Sequence, residues 1–131
     1  MRASKLFLAL GLLALGATAA IAQSLPAGVQ VSGGILTDSK GMTLYTWDKD
    51  EMGVASNCYD KCAENWPPLL VPADTAVDGD WSLMDRKDSD MKIVAYKGWP
   101  LYLWIKDTKP GDTTGDGVGG TWHTAVEGGA M

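Results

Sequence analysis

Histidine occurs once and cysteine twice in this chain of 131 residues, and the single phenylalanine, Phe7, lies in the N-terminal segment. With one histidine and no G-x-S-x-G turn, a hydrolase triad is hard to build. The two cysteines, Cys58 and Cys62, are spaced C-x-x-x-C, which is neither the C-x-x-C of thioredoxin-like redox sites nor the C-x-x-C-H of haem attachment. Basic charge is scarce: 11 Lys and Arg stand against 16 Asp and Glu, for a net charge of −5. An acidic surface repels phosphate backbones, so nucleic acid is excluded as a partner, and cations or basic partners are favoured only nonspecifically. No glycine-rich phosphate loop precedes a helix.

Long apolar runs are absent except at the start. Arg2 and Lys5 precede an uncharged stretch over 6–21 that ends in Ala20-Ile21-Ala22, the small-x-small form of a signal-peptidase site. At about 16 residues this run is shorter than the ~20 needed to span a bilayer. Residues 1–22 are therefore expected to be a cleaved signal peptide, with no transmembrane segment in the mature chain. Residues 23–131 then form a single domain of net charge −7. No cysteine follows the expected cut directly, so a lipid anchor is not expected. Export points to the periplasm or the extracellular space, where Cys58 and Cys62 form a disulfide. A metal-binding thiol pair is the other reading of these two residues.

What the chain does have is a repeat. Lys40-Gly41-Met42-Thr43-Leu44-Tyr45-Thr46-Trp47-Asp48-Lys49-Asp50 returns as Lys97-Gly98-Trp99-Pro100-Leu101-Tyr102-Leu103-Trp104-Ile105-Lys106-Asp107, with seven of eleven positions identical. Such a repeat implies two copies of one supersecondary unit, neither able to bury its apolar face alone. The fold class expected is all-β or mostly β: two tandem hairpin-based repeats, about 29–72 and 91–125, related by pseudo-twofold symmetry. Strands are expected at 29–31, 35–37, 42–47, 92–96 and 101–105. One short helical turn near the cysteines is expected, capped by Ser56 or Asn57. Residues 73–90 read as a linker with a short strand near Trp81, and 97–100 as a turn. The tail from 127 to 131 reads as frayed. The second copy, apolar at Leu101, Leu103 and Ile105, is expected to be more buried than the first, which carries Thr46 and Asp48 at the matching places.

Each copy carries Tyr-x-Trp-x-x-Asp: Tyr45, Trp47, Asp50 and Tyr102, Trp104, Asp107. Trp-Pro-Pro follows the first copy and a Pro-Gly-Asp-x-x-Gly-x-Gly-x-x-x-x-Trp-His stretch follows the second. Over roughly 29–125 this pattern resembles the secreted-repeat family of small bacterial exported proteins and predicted lipoproteins. The resemblance implies export, a β-rich two-repeat domain and an undefined biochemical role. From the residues alone, Tyr and Trp at i and i+2 share one strand face and plug a core. The strand-end Asp accepts backbone N–H groups of the next loop. The alternative makes these six residues a ligand seam between the repeats. Six Trp and four Tyr suit a core with polar edges, and they suit a ligand face as well.

Two cofactor readings remain. His123 is a candidate ligand for copper or haem iron, with Met42, Met52, Met84 or Met91 as second ligand. Asp112 to Gly117 places oxygen donors like the first half of a calcium loop, but His123 stands where the bidentate Glu belongs. The function expected is an exported non-catalytic envelope or extracellular module that binds an envelope protein or a small ligand, or forms part of a structure. Its rival is a periplasmic metal- or haem-binding redox protein using His123. A thiol count on denatured, periplasm-expressed protein should find no free thiol; two free thiols would refute the disulfide.

Overall fold

The computed structural model describes residues 24–129. The expected signal peptide and the last two residues lie outside the described residues. In chain order the elements are β1 (Val29–Ser32), β2 (Ile35–Asp38), β3 (Tyr45–Trp47), α1 (Lys61–Asn65), β4 (Leu70–Val71), β5 (Trp81–Arg86), β6 (Ser89–Tyr96), β7 (Trp99–Pro100) and β8 (Trp122–Thr124), with a 3-10 turn at Val118–Gly120 before β8. The fold is mostly β, as the sequence implies, with one short helix beside the cysteines.

Two hairpins start the two copies. β1 and β2 pair antiparallel around Gly33-Gly34, whose φ of 57° and 86° are the positive pair that a two-residue hairpin requires. β5 and β6 form the matching, longer hairpin of the second copy. Residues 81–86 are thus a six-residue strand where the sequence suggested a linker with only a short strand near Trp81. Asp and Gly before Trp81 mark only the approach, since Asp78 accepts the N–H of Trp81. The turn expected over 97–100 is tighter: Lys97-Gly98 alone makes it, and Trp99 and Pro100 already pair with Tyr96 and Ala95.

After its hairpin each copy turns toward the other. Leu44 donates to Leu36, and Leu101 to Val94, so each motif segment begins beside its own hairpin. The last strand of each copy then crosses over. β4, from the first copy, pairs with β6 of the second; β8, from the second, pairs with β3 of the first. The backbone bonds match across the exchange. Leu69 donates to Leu101 at 2.9 Å and accepts from Val94 at 3.0 Å, while Ala125 donates to Leu44 at 2.8 Å and accepts from Leu36 at 2.9 Å. Neither copy completes its own sheet.

The core lies in two joined groups. One holds Val29, Leu36, Leu44, Leu69, Val71, Trp81, Val94, Tyr96, Leu101 and Ala125. The other holds Tyr45, Cys58, Trp66, Met84, Ile93, Ala95, Tyr102 and Trp122. The expectation that the second copy is the more buried is overturned. Thr46 is buried at 3 % exposure, whereas its counterpart Leu103 is half-buried and Ile105 is 52 % exposed. The exchange explains this, because β8 covers β3 while the segment after Tyr102 meets only the short run at 65–68.

The helix is not capped as expected. Asp60 precedes it at φ 54° with no side-chain cap. Ser56 and Asn57 face other partners: Ser56 Oγ lies 2.5 Å from Tyr102 Oη, and Asn57 Nδ2 donates to the Lys49 carbonyl. The disulfide Cys58–Cys62 ties this loop, with Cα atoms 5.2 Å apart. The residues described from the tail are tied down too, since Glu127 donates to Gly34, and Gly128 donates to the Tyr96 hydroxyl.

Gly98 combines a φ of +87° with close neighbours: a Cβ there would lie 2.9 Å from Met52 Cγ and 3.0 Å from the Gly53 nitrogen. Gly33, also at positive φ, has nothing within 4 Å. Urea melts should therefore rank Gly98→Ala below Gly33→Ala, the latter costing about 1 kcal/mol and the former at least about 2. Equal losses would mean that the contact with the 51–55 turn carries no stability.

Candidate functional site

The motif residues meet at the centre of the exchange. Tyr45 and Tyr102 are neighbours across the pseudo-twofold axis, where the N–H of Tyr45 donates to the Tyr102 carbonyl at 2.8 Å and the reverse bond measures 3.0 Å. Both side chains are fully buried. A buried phenol needs a polar partner, and each finds it in the other copy. Tyr45 Oη donates to Asp107 Oδ2 at 2.6 Å, and Tyr102 Oη donates to Asp50 Oδ2 at 2.7 Å. The other carboxylate oxygen serves the following loop: Asp50 Oδ1 accepts from the Asn57 N–H at 2.7 Å, and Asp107 Oδ1 from the Thr114 N–H at 3.0 Å. Each Asp is also held by a turn closing onto the motif Trp, its own N–H donating to the carbonyl of Trp47 or Trp104.

The surroundings of the two phenols differ in chemistry. Tyr45 Oη accepts from the Gly115 N–H at 3.1 Å, an approach that only glycine permits, because a Cβ at 115 would lie 2.9 Å from both Tyr45 and Trp66. Tyr102 Oη meets Ser56 Oγ, which accepts from buried Arg86 Nη1 at 2.8 Å. Arg86 also donates to the Cys58 carbonyl and pairs in bidentate fashion with Asp88, so it anchors the disulfide loop to β5. Its guanidinium lies 3.9 Å from the Tyr59 ring centroid. Burial pushes both phenols well above the usual tyrosine range, and the facing carboxylates add to the effect. Burial also raises Asp50, partly offset by the Asn57 N–H, the Tyr102 hydroxyl and Arg86.

The tryptophans complete the seam as a ladder. Trp47 stacks on Trp122, Trp122 on Trp66, and Trp66 on Trp104, with ring centroids 5.2, 3.7 and 3.9 Å apart. Tyr45 meets Trp66 edge-on at 5.4 Å, and Tyr102 meets Trp122 edge-on at 5.3 Å. The seam is thus filled by its own rings and hydrogen bonds, and of its four indoles the outer two, Trp47 and Trp104, are partly buried. The sequence placed Trp66 and Trp122 at similar distances after Tyr45 and Tyr102, and that spacing was the available signal for their joining the motif rings.

On the reverse side of β3 the surface opens. A pocket of about 500 Å³ is lined by Thr46, Asp48, Trp99, His123, Thr124, Val126 and Gly129. His123 Nε2 lies 2.9 and 3.0 Å from the two oxygens of Asp48, and both side chains are about half exposed. Nothing in the sequence joins Asp48 to His123, which are 75 positions apart; the β3–β8 register does. Among the described residues no group of three His, Cys, Asp or Glu side chains could hold a metal ion. Met84 is buried in the core, and Met52 and Met91 are exposed. In the loop that resembles a calcium site, Asp112 accepts from Lys109 and from the N–H of Thr108, and these bonds hold its carboxyl down at about 2. Asp116 accepts from the Thr124 N–H.

Removing either phenol–carboxylate bond should cost about 1.5–3 kcal/mol, since the hydrogen bond is to a charged, buried partner. A double-mutant cycle of Tyr45→Phe with Asp107→Asn should show positive coupling; additive losses would mean that the bond contributes nothing of its own. The phenols also set an alkaline limit. Their folded pKa lies above the ordinary 10.0, so their contribution is complete below pH 10 and is lost as the pH rises past it, where the unfolded phenols ionise first. Phenolate absorbance from Tyr45 and Tyr102 should emerge only together with loss of near-UV circular dichroism. Ionisation of all four tyrosines with the fold intact would contradict this.

Among the described residues no helix is long and apolar enough to cross a membrane. No curated protein and no solved structure matches the chain. One family model does, twice, over residues 29–70 and 83–126. The second match starts at 83, within β5, the partner of β6 and the counterpart of β1. Matched over both copies, the chain belongs to the family described as a secreted repeat of unknown function.

Proposed function

We propose that this secreted-repeat protein is a non-catalytic binding module of the periplasm or the extracellular space, taking a small ligand in the pocket behind β3. Residues 1–22 serve as a cleaved signal peptide, and 23–131 form one domain. A charged n-region, a short apolar run and Ala20-Ile21-Ala22 support the leader. A disulfide in the folded chain suits an oxidising compartment.

The observation that carries the binding site is the asymmetry between the copies. The seam positions repeat: Tyr, Trp and Asp recur with the same partners. The pocket positions do not. Thr46 on β3 and Asp48 just after it correspond to Leu103 and Ile105 in the second copy. A polar pair, an indole and an imidazole around one opening are the few convergent groups that orient a small ligand above apolar walls. Asp48 supplies an acceptor, His123 a second polar contact and Trp99 a flat apolar surface.

Thermal-shift screening with a panel of sugars, amino acids and small amines should yield ligands that raise the melting temperature by mass action. Trp99→Ala and His123→Ala should each abolish the shift while changing the stability of the free protein by no more than about 1 kcal/mol, because both sites are partly exposed. Ligands that bind both variants as tightly as the parent would remove the pocket from the reading. Protein purified from its own host with haem or copper, lost in His123→Ala, would replace this reading with the redox one.

A further inference from the structure

Four of the six tryptophans form one continuous column. Adjacent indoles are close to parallel: 9° between Trp47 and Trp122, 2° between Trp122 and Trp66, and 23° between Trp66 and Trp104. The two inner rings are 5 % exposed and the two outer rings only partly buried, so the column runs through the core and reaches solvent at both ends. Trp81 and Trp99 lie outside it. Beside each inner indole stands a tyrosine whose hydroxyl is bonded to a carboxylate at 2.6 or 2.7 Å.

This arrangement has a chemistry that packing alone does not require. Indole and phenol are the protein side chains most open to one-electron oxidation where, as here, both cysteines are held in a disulfide. Electronic coupling falls steeply with separation, so face-to-face indoles exchange an electron vacancy readily and share it. A phenol is different, because its radical cation is a strong acid and its oxidation is practicable only where a base takes the proton. Asp107 and Asp50 stand where that base must be.

We propose that the indole column is a path for one-electron oxidising equivalents, entered at Trp47 or Trp104 from an outer-sphere one-electron oxidant and ending on Tyr45 or Tyr102. In the first step an outer indole gives one electron to the oxidant and becomes the radical cation. The vacancy then moves along the column, each ring regaining an electron from the next. In the last step the tyrosine gives an electron to the adjacent inner indole and its hydroxyl proton to the bonded carboxylate, leaving a neutral tyrosyl radical beside a protonated Asp. Charge and protons balance at every step. The path does not rest on the pocket reading.

The test is a flash-quench experiment on the intact disulfide-bonded protein, with tris(bipyridine)ruthenium(II) as photosensitiser and a cobalt(III) pentaammine chloride as electron acceptor. Transient absorption should show an indolyl radical decaying as a tyrosyl radical grows, and the tyrosyl signal should appear in frozen samples by electron paramagnetic resonance. The combined Trp47→Phe and Trp104→Phe variant replaces the accessible ends with rings that are much harder to oxidise, and should lower the tyrosyl yield several-fold. The Trp99→Phe variant removes a half-exposed indole outside the column and should leave the yield unchanged. Replacing Asp50 and Asp107 by Asn should let indolyl radical form but stop the tyrosyl signal. Should that variant fail to fold, slower tyrosyl growth of the parent protein in deuterium oxide reports the same proton transfer. A tyrosyl yield indifferent to the Trp47 and Trp104 changes, a yield that falls with Trp99→Phe, or growth that is the same in both solvents would overturn the proposal.

Discussion

Tyr45 and Tyr102 stand back to back at the pseudo-twofold axis, joined by a reciprocal pair of backbone hydrogen bonds, and each donates its hydroxyl hydrogen to the aspartate of the other copy. A phenol buried without a partner, or a carboxylate buried without donors, would carry a desolvation penalty comparable to a fifth or more of a small domain's net stability. The crossed pairing satisfies all four groups at once, and only when both copies are in place. Each aspartate extends the arrangement outward by taking an N–H of its own loop, so the loops over 51–57 and 108–114 are positioned from the centre. The disulfide and the Arg86–Asp88 pair then secure the first of these loops, whereas the second is secured by Gly115, which lets the chain lie directly against Tyr45 and Trp66.

The two copies have kept this centre and changed what surrounds it. Ser56 beside Tyr102 is answered by a glycine N–H beside Tyr45, so the same phenol geometry is met by a hydroxyl in one place and by backbone in the other. On the reverse side of the motif strand, polar residues in the first copy stand where the second has Leu103 and Ile105. β3 therefore has two roles on its two faces. Trp47 belongs to the indole column, and Thr46 and Asp48 belong to the open pocket. Alternation along three residues of strand separates the two by the thickness of the backbone alone.

Much of this was legible because repetition carries more information than propensity. The duplicated Tyr-x-Trp-x-x-Asp pattern announced two hairpin-based units, buried rings and aspartates that serve loops. The strands expected at 29–31 and 35–37 match β1 and β2 to within a residue. What the sequence did not reveal was which strand pairs with which. The residues after Trp66 and those from Trp122 onward look like the ends of their own repeats, and nothing in their composition says that each completes the other's sheet. The burial of Thr46, Leu103 and Ile105 follows that pairing and not their polarity, which is why apolar character alone points to the wrong copy. Of β5 only a short strand near Trp81 was legible, because the Asp and Gly of 73–90 read as a linker, while Arg86 at its end is buried against Ser56 and Cys58. The Asp48–His123 contact depends wholly on the β3–β8 register and has no local signature.

The crossing of the final strands has a bearing on origin. In a symmetric homodimer, a residue at one position on the first subunit meets its mate on the second, and the relation holds in reverse. The paired tyrosine backbones, the swapped phenol–carboxylate bonds and the exchanged last strands have that form. A lone repeat associating with its own twin would make the repeated contacts in the same way, and the stretch over 72–80 is where this chain joins the two. Covalently linked halves are not obliged to be identical, and here one flank carries Thr46 and Asp48 where the other carries Leu103 and Ile105.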